Sequence, residues 1–85
     1  MPTNSKTFSG LKRDSYERVR QQLSSKRWSL PSGDSGYLRG NGLMADWDYN
    51  EKDEALSIRI RSVGKGETYA STFGSIETVV KLSSA

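Results

Sequence analysis

Over residues 43–49 the side chains alternate without a break. Leu43, Ala45, Trp47 and Tyr49 fall on one face of an extended chain, and Met44, Asp46 and Asp48 fall on the other. A period of 2 cannot lay an apolar stripe along a helix, so the segment is a strand with one dry and one wet face. After "NEKDE" a similar strand follows, in which Leu56, Ile58 and Ile60 alternate with Ser57, Arg59 and Arg61. Matching the apolar faces across a hairpin fixes the register, because a slip of one residue turns every side chain to the wrong face. Tyr49 then stands opposite Leu56, Trp47 opposite Ile58 and Ala45 opposite Ile60. On the wet face, Asp46 is directly across from Arg59, and Asp48 is across from Ser57 and diagonal to Arg59.

A half-buried hairpin needs a cover, and the two ends of the chain supply it. Residues 10–25 are rich in helix formers, and Tyr16, Val19 and Leu23 recur at i, i+3 and i+7 as a narrow apolar stripe. Either Ser9 or the Asp14 to Glu17 spacing, a variant of the capping box, marks the start. Near the other end, Phe73, Ile76, Val79 and Val80 predict a helix over residues 72–84. Two shorter strands are expected between, one carrying Trp28 and Leu30 and ending at Pro31, the other over residues 36–40. The "PSGDSG" that separates them is turn chemistry. Residues 67–72 read as loop, and residues 1–9, polar and small, as a flexible arm anchored by Phe8 alone.

The expected fold is therefore α+β: a two-layer sandwich in which an N-terminal and a C-terminal helix pack on one face of a small antiparallel sheet of three or four strands. Eighty-five residues hold one such domain, here residues 10–85 behind the arm.

Two glycine-containing stretches imitate phosphate loops. Gly40-Asn41-Gly42-Leu43-Met44-Ala45 fits the dinucleotide pattern G-x-G-x-x-G/A letter for letter. A true fingerprint opens a helix that receives the pyrophosphate, whereas the residues after Gly42 have strand periodicity. Asn41-Gly42 is read instead as a hairpin turn or glycine bulge, since both residues accept positive φ. "GKGET" lacks the Walker A glycine, having Arg59 in its place, and has Gly66 where Ser or Thr is required.

Composition removes most catalytic chemistry. The chain contains neither cysteine nor histidine, hence no thiolate, no disulfide, no imidazole base and no cysteine or histidine metal ligand. Asp46, Asp48, Glu51, Asp53 and Glu54 lack the spacing of a calcium loop and have Asn50 in their midst. No enzyme activity, cofactor or metal is expected. There is no apolar run of membrane-spanning length, and "MPTNSKTFSG" lacks the apolar stretch of a signal peptide, so a cytoplasmic location is the default expectation.

Binding remains. The wet face of the hairpin offers Met44, Asp46, Asp48, Arg59 and Arg61 to a protein partner, with the glycine loops around Gly36 and Gly42 beside it. Charge suggests an alternative. The first thirty residues carry seven basic and two acidic side chains, within a chain whose net charge is +3. Lys12, Arg13, Arg20, Lys26 and Arg27 are thus the candidate set for nucleic acid. At 100° per residue, however, Arg13 and Arg20 lie on one flank of the apolar stripe and Arg18 on the other, with Glu17 interrupting. Trp28 is read as core rather than as a stacking platform for a base. The leading expectation is a small non-catalytic interaction protein of accessory or inhibitor type that binds another macromolecule.

Overall fold

A computed structural model describes residues 4–26 and 28–84. The elements run β1 (Ser5–Phe8), α1 (Arg13–Ser24), β2 (Ser35–Gly40), β3 (Leu43–Asn50), β4 (Ala55–Ser62) and α2 (Tyr69–Ser84). The four strands form one antiparallel sheet in the order β1-β4-β3-β2. Both helices cover the same face. Tyr16, Val19 and Leu23 of α1 and Ile76, Val79 and Val80 of α2 share one core with Leu38, Ala45, Trp47, Tyr49, Leu56, Ile58 and Ile60 of the sheet. Among the described residues no helix is long and apolar enough to cross a membrane.

The hairpin register is the one that the apolar faces dictate: Tyr49 faces Leu56, Trp47 faces Ile58, Ala45 faces Ile60 and Asp46 faces Arg59. Asn41 and Gly42, at φ 52° and 87°, make the two-residue turn between β2 and β3. The dinucleotide-like motif is therefore a bend in a sheet. Gly64, the first glycine of "GKGET", is required by contact: a Cβ there would stand 2.6 Å from the Asn41 carbonyl oxygen. It lets the β4–α2 loop press against the hairpin turn.

The central device joins α1 to the sheet. The Trp47 indole N–H donates to the Tyr16 hydroxyl at 2.9 Å, in the interior. The Tyr16 ring stacks on Tyr49, with centroids 3.8 Å apart and planes 7° from parallel. Tyr49 in turn donates its hydroxyl hydrogen to the Leu11 carbonyl at 2.6 Å, and burial pushes its pKa up.

Four local expectations change. Residues 5–8, read as part of an arm, are an edge strand: only Phe8 points into the core, so no apolar alternation announced it, and pairing with β4 selects it. Lys6 reaches from that strand across the helical layer to Glu77 at 2.6 Å. The expected Trp28–Leu30 strand shrinks to one bridge, Ser29 to Arg39, with N–H···O distances of 2.6 and 2.9 Å in the two directions. Pro31 then turns the chain to lie against Gly36, whose missing Cβ makes the room.

The helix starts differ too. Neither Ser9 nor Asp14 caps α1; Lys12 is the N-cap residue and gives no side-chain hydrogen bond. α2 starts at Tyr69, inside the stretch read as loop, because Thr68 and Ser71 cap it reciprocally. The Ser71 N–H donates to Thr68 Oγ1 at 3.0 Å and the Thr68 N–H to Ser71 Oγ at 2.9 Å.

Trp47→Ala, which empties the middle of the sheet face, is expected to cost about 3–5 kcal/mol. Tyr16→Phe, which leaves the buried indole N–H without its acceptor, is expected to cost about 1–3 kcal/mol. Urea unfolding of both variants measures these losses. Wild-type stability in Tyr16→Phe would show that the bond does not anchor α1.

The β1–α2 connection is sensitive to acid. Lys6 and Lys81 hold the Glu77 carboxyl down to about 2, against an ordinary 4.5. A depressed carboxylate stabilises the fold above its unfolded pKa and loses that contribution as pH falls toward the folded one. Wild-type melting temperature should therefore approach that of Glu77→Gln as pH falls from 4.5 to about 2. High salt should narrow the gap at neutral pH, since the pair is partly exposed. Parallel pH profiles for the two proteins would contradict this.

Candidate interaction face

The sheet face away from the helices is open. Alternation places Tyr37 and Arg39 of β2, Met44, Asp46 and Asp48 of β3, and Ser57, Arg59 and Arg61 of β4 on it, with Ser5 and Thr7 of β1 at the margin. One cross-strand row runs Ser5, Arg59, Asp46, Tyr37; the next runs Thr7, Ser57, Asp48, Ser35. Thr7 and Ser57 share a hydrogen bond between hydroxyls at 3.1 Å.

All five residues expected at a protein interface thus share one surface, yet the charge pairing differs from expectation. Asp46 faces Arg59 in register but binds Arg61, through Nη2 at 2.9 Å and Nε at 3.0 Å. A bulge is the cause. Ala45 pairs with Ile60 while Met44 pairs with Ser62, so Arg61 is the extra residue in β4 and its side chain is re-aimed along the face. The hydrogen bond from Arg61 holds the Asp46 carboxyl below its usual range, helped by the charges of Arg61 and then Arg59 against partial desolvation. Among the described residues, the guanidinium groups of Arg39 and Arg59 have no hydrogen-bond or ion-pair partner.

Tyr37 and Arg39 were not among the residues singled out from the sequence, although both belong to this face. The signal was available: in residues 36–40, Leu38 alternates with them, and an inward Leu38 sends both outward. Tyr37 is 51% exposed, one of few large apolar side chains at the surface.

The cationic set proposed for nucleic acid is divided by the fold. Arg13 grips Asp34 with two hydrogen bonds of 2.9 and 2.8 Å, binds Glu51 at 3.0 Å, and lies 5.2 Å from the Tyr49 ring centroid. Those bonds raise the Arg13 pKa further and lower those of Asp34 and Glu51. Arg20 donates to the carbonyls of Pro31 at 2.6 Å and Gly33 at 3.0 Å. Both arginines clip α1 to neighbouring loops. Lys12 and Lys26 are exposed, and Arg27 lies outside the described residues. The acidic segment is likewise taken up locally: Glu51 binds Arg13, and Asp53 binds the Asn50 side chain at 3.0 Å. Among the described residues, no three carboxylates gather as a metal site would need.

This division makes a prediction about stability. Arg13→Gln and Arg20→Gln should each lower the melting temperature, whereas Lys12→Gln and Lys26→Gln should leave it unchanged. Thermal denaturation of the four variants distinguishes the clips from the solvated charges, and equal effects across the set would contradict the assignment.

Comparisons with known protein families, with characterised proteins and with solved structures gave no match to this chain.

Proposed function

We propose that this chain is a small non-catalytic interaction protein, of accessory or inhibitor type, that binds a protein partner through the open sheet face. The observation that carries the reading is the half-exposed Tyr37 on a face that also carries Arg39 and Arg59, whose guanidinium groups have no partner among the described residues. Tyrosine and arginine are the residue types enriched in the buried centres of interfaces, where a rigid ring and a planar donor gain much from losing water. Asp46 and Asp48 on the same face favour a protein surface of mixed charge over a polyphosphate, which they would repel. The lack of histidine and cysteine supports a binding role rather than catalysis. A cytoplasmic setting fits a chain without cysteine.

The nucleic-acid reading through Lys12, Arg13, Arg20, Lys26 and Arg27 is weaker, because Arg13 and Arg20 already serve Asp34, Glu51 and backbone carbonyls.

The test uses the partner recovered by affinity capture from the native host. In Asp46→Arg with Arg61→Asp, the ion pair is kept but its polarity on the face is reversed, so folding should persist while affinity falls about tenfold or more. Tyr37→Ser should weaken binding similarly. Full affinity in both folded variants would remove the open face as the binding surface. Recovery that depends on nucleic acid, and is lost on removing Lys12 and Lys26, would favour the alternative.

A further inference from the structure

A cavity of about 210 Å³ opens where the β2–β3 turn, the β4–α2 loop and the first turns of α2 meet. Trp28 and Leu43 give it apolar wall, and Lys65, Glu67, Thr72 and Ser75 give it polar groups. Its volume is that of about seven waters at roughly 30 Å³ each. That is below the roughly 300 Å³ at which pockets for drug-sized ligands begin. The space suits a small metabolite.

Thr72 is the unusual member. It is only 5% exposed, and its hydroxyl makes no hydrogen bond to any of the described residues. Other hydroxyls of α2 do otherwise: Ser75 donates to the Ser71 carbonyl at 3.2 Å, Thr78 to the Gly74 carbonyl at 2.9 Å and Ser84 to the Val80 carbonyl at 2.8 Å. Thr72 thus keeps its donor and acceptor capacity at the cavity wall.

Lys65 and Glu67 add one charge of each sign, and neither has an ion-pair partner among the described residues. Glu67 accepts the Ser71 hydroxyl at one carboxylate oxygen, at 2.7 Å, and its other oxygen is available. The loop that bears them is held: the Glu67 N–H donates to the Gly64 carbonyl at 3.0 Å, and Gly64 is locked against the Asn41 carbonyl. A simple anion would meet Glu67 and a simple cation Lys65. An apolar solute would leave Thr72 unsatisfied.

We propose that this cavity binds a small zwitterion of the free α-amino-acid class, its carboxylate at Lys65, its ammonium at Glu67 and its side chain against Trp28 and Leu43, with Thr72 bonding a polar atom of the ligand. The site is separate from the open sheet face and does not depend on the function proposed for it.

The experiment is a titration of ¹⁵N-labelled protein with the common free amino acids and with the N-acetyl and carboxamide derivatives of any that bind. The expected result is saturable amide shifts confined to residues 40–43, 64–67 and 72–75, for at least one amino acid. Loss of either ligand charge should weaken binding about tenfold or more. So should Lys65→Gln, Glu67→Gln and the near-isosteric Thr72→Val. Saturation by no amino acid, or equal binding of parent and derivatives, would overturn the proposal. If Thr72→Val does not fold, the derivatives tested on the wild-type protein still decide.

Discussion

The bond from the Trp47 indole to the Tyr16 hydroxyl fixes where the first helix can sit. An indole N–H buried in the middle of a sheet face needs an acceptor, and the apolar side chains around it have none. Tyr16 supplies one only when α1 presents it toward β3 at the right depth and rotation. The same placement brings Tyr16 into stacking distance of Tyr49 and sets Arg13 and Arg20 near the rings, 5.6 and 5.7 Å from the Tyr16 centroid. Those arginines then reach the chain before β2, at Pro31, Gly33 and Asp34, and the β3–β4 turn at Glu51. One polar contact in the core thus sets the loops on that side of the molecule.

The hairpin could be read from the sequence to the residue because periodicity and register are redundant there: seven alternating positions face six, and only one alignment buries all the large groups. β1 was not legible for the converse reason. Its four residues carry one core side chain, so its place depends on β4 and Glu77 rather than on its own pattern. The start of α2 was hidden by residue type. Thr68 and Ser71 resemble a loop in composition but act as a reciprocal cap, and Tyr69 and Ala70 follow without an apolar stripe to declare them. Trp28 and Leu30 misled in the other direction, because alternation of two residues is too brief to tell a strand from a segment that touches the sheet once.

The open face was legible as a surface and not as a set of contacts. Alternation puts Met44, Asp46, Asp48, Arg59 and Arg61 together, but no count of residues foretells the bulge after Ile60, or that Asp46 binds Arg61 while Arg59 has no partner among the described residues. The sequence already divides the basic helix, with Arg13 and Arg20 on one flank of its apolar stripe and Arg18 on the other. Which cations remain solvated depends on loops brought near by the fold, as Asp34 and Glu51 are to Arg13.

The strand order has a consequence for the path by which the chain folds. β2, β3 and β4 form a meander of near neighbours, whereas Ser5 pairs with Arg59, 54 residues further on. Closing so long a loop carries an entropic penalty that grows with the logarithm of its length. The meander with its covering helices can nucleate through local contacts, and β1 is then recruited to an edge that already exists. β1, which precedes the meander in the chain, is in this way the last of the four strands to find its place.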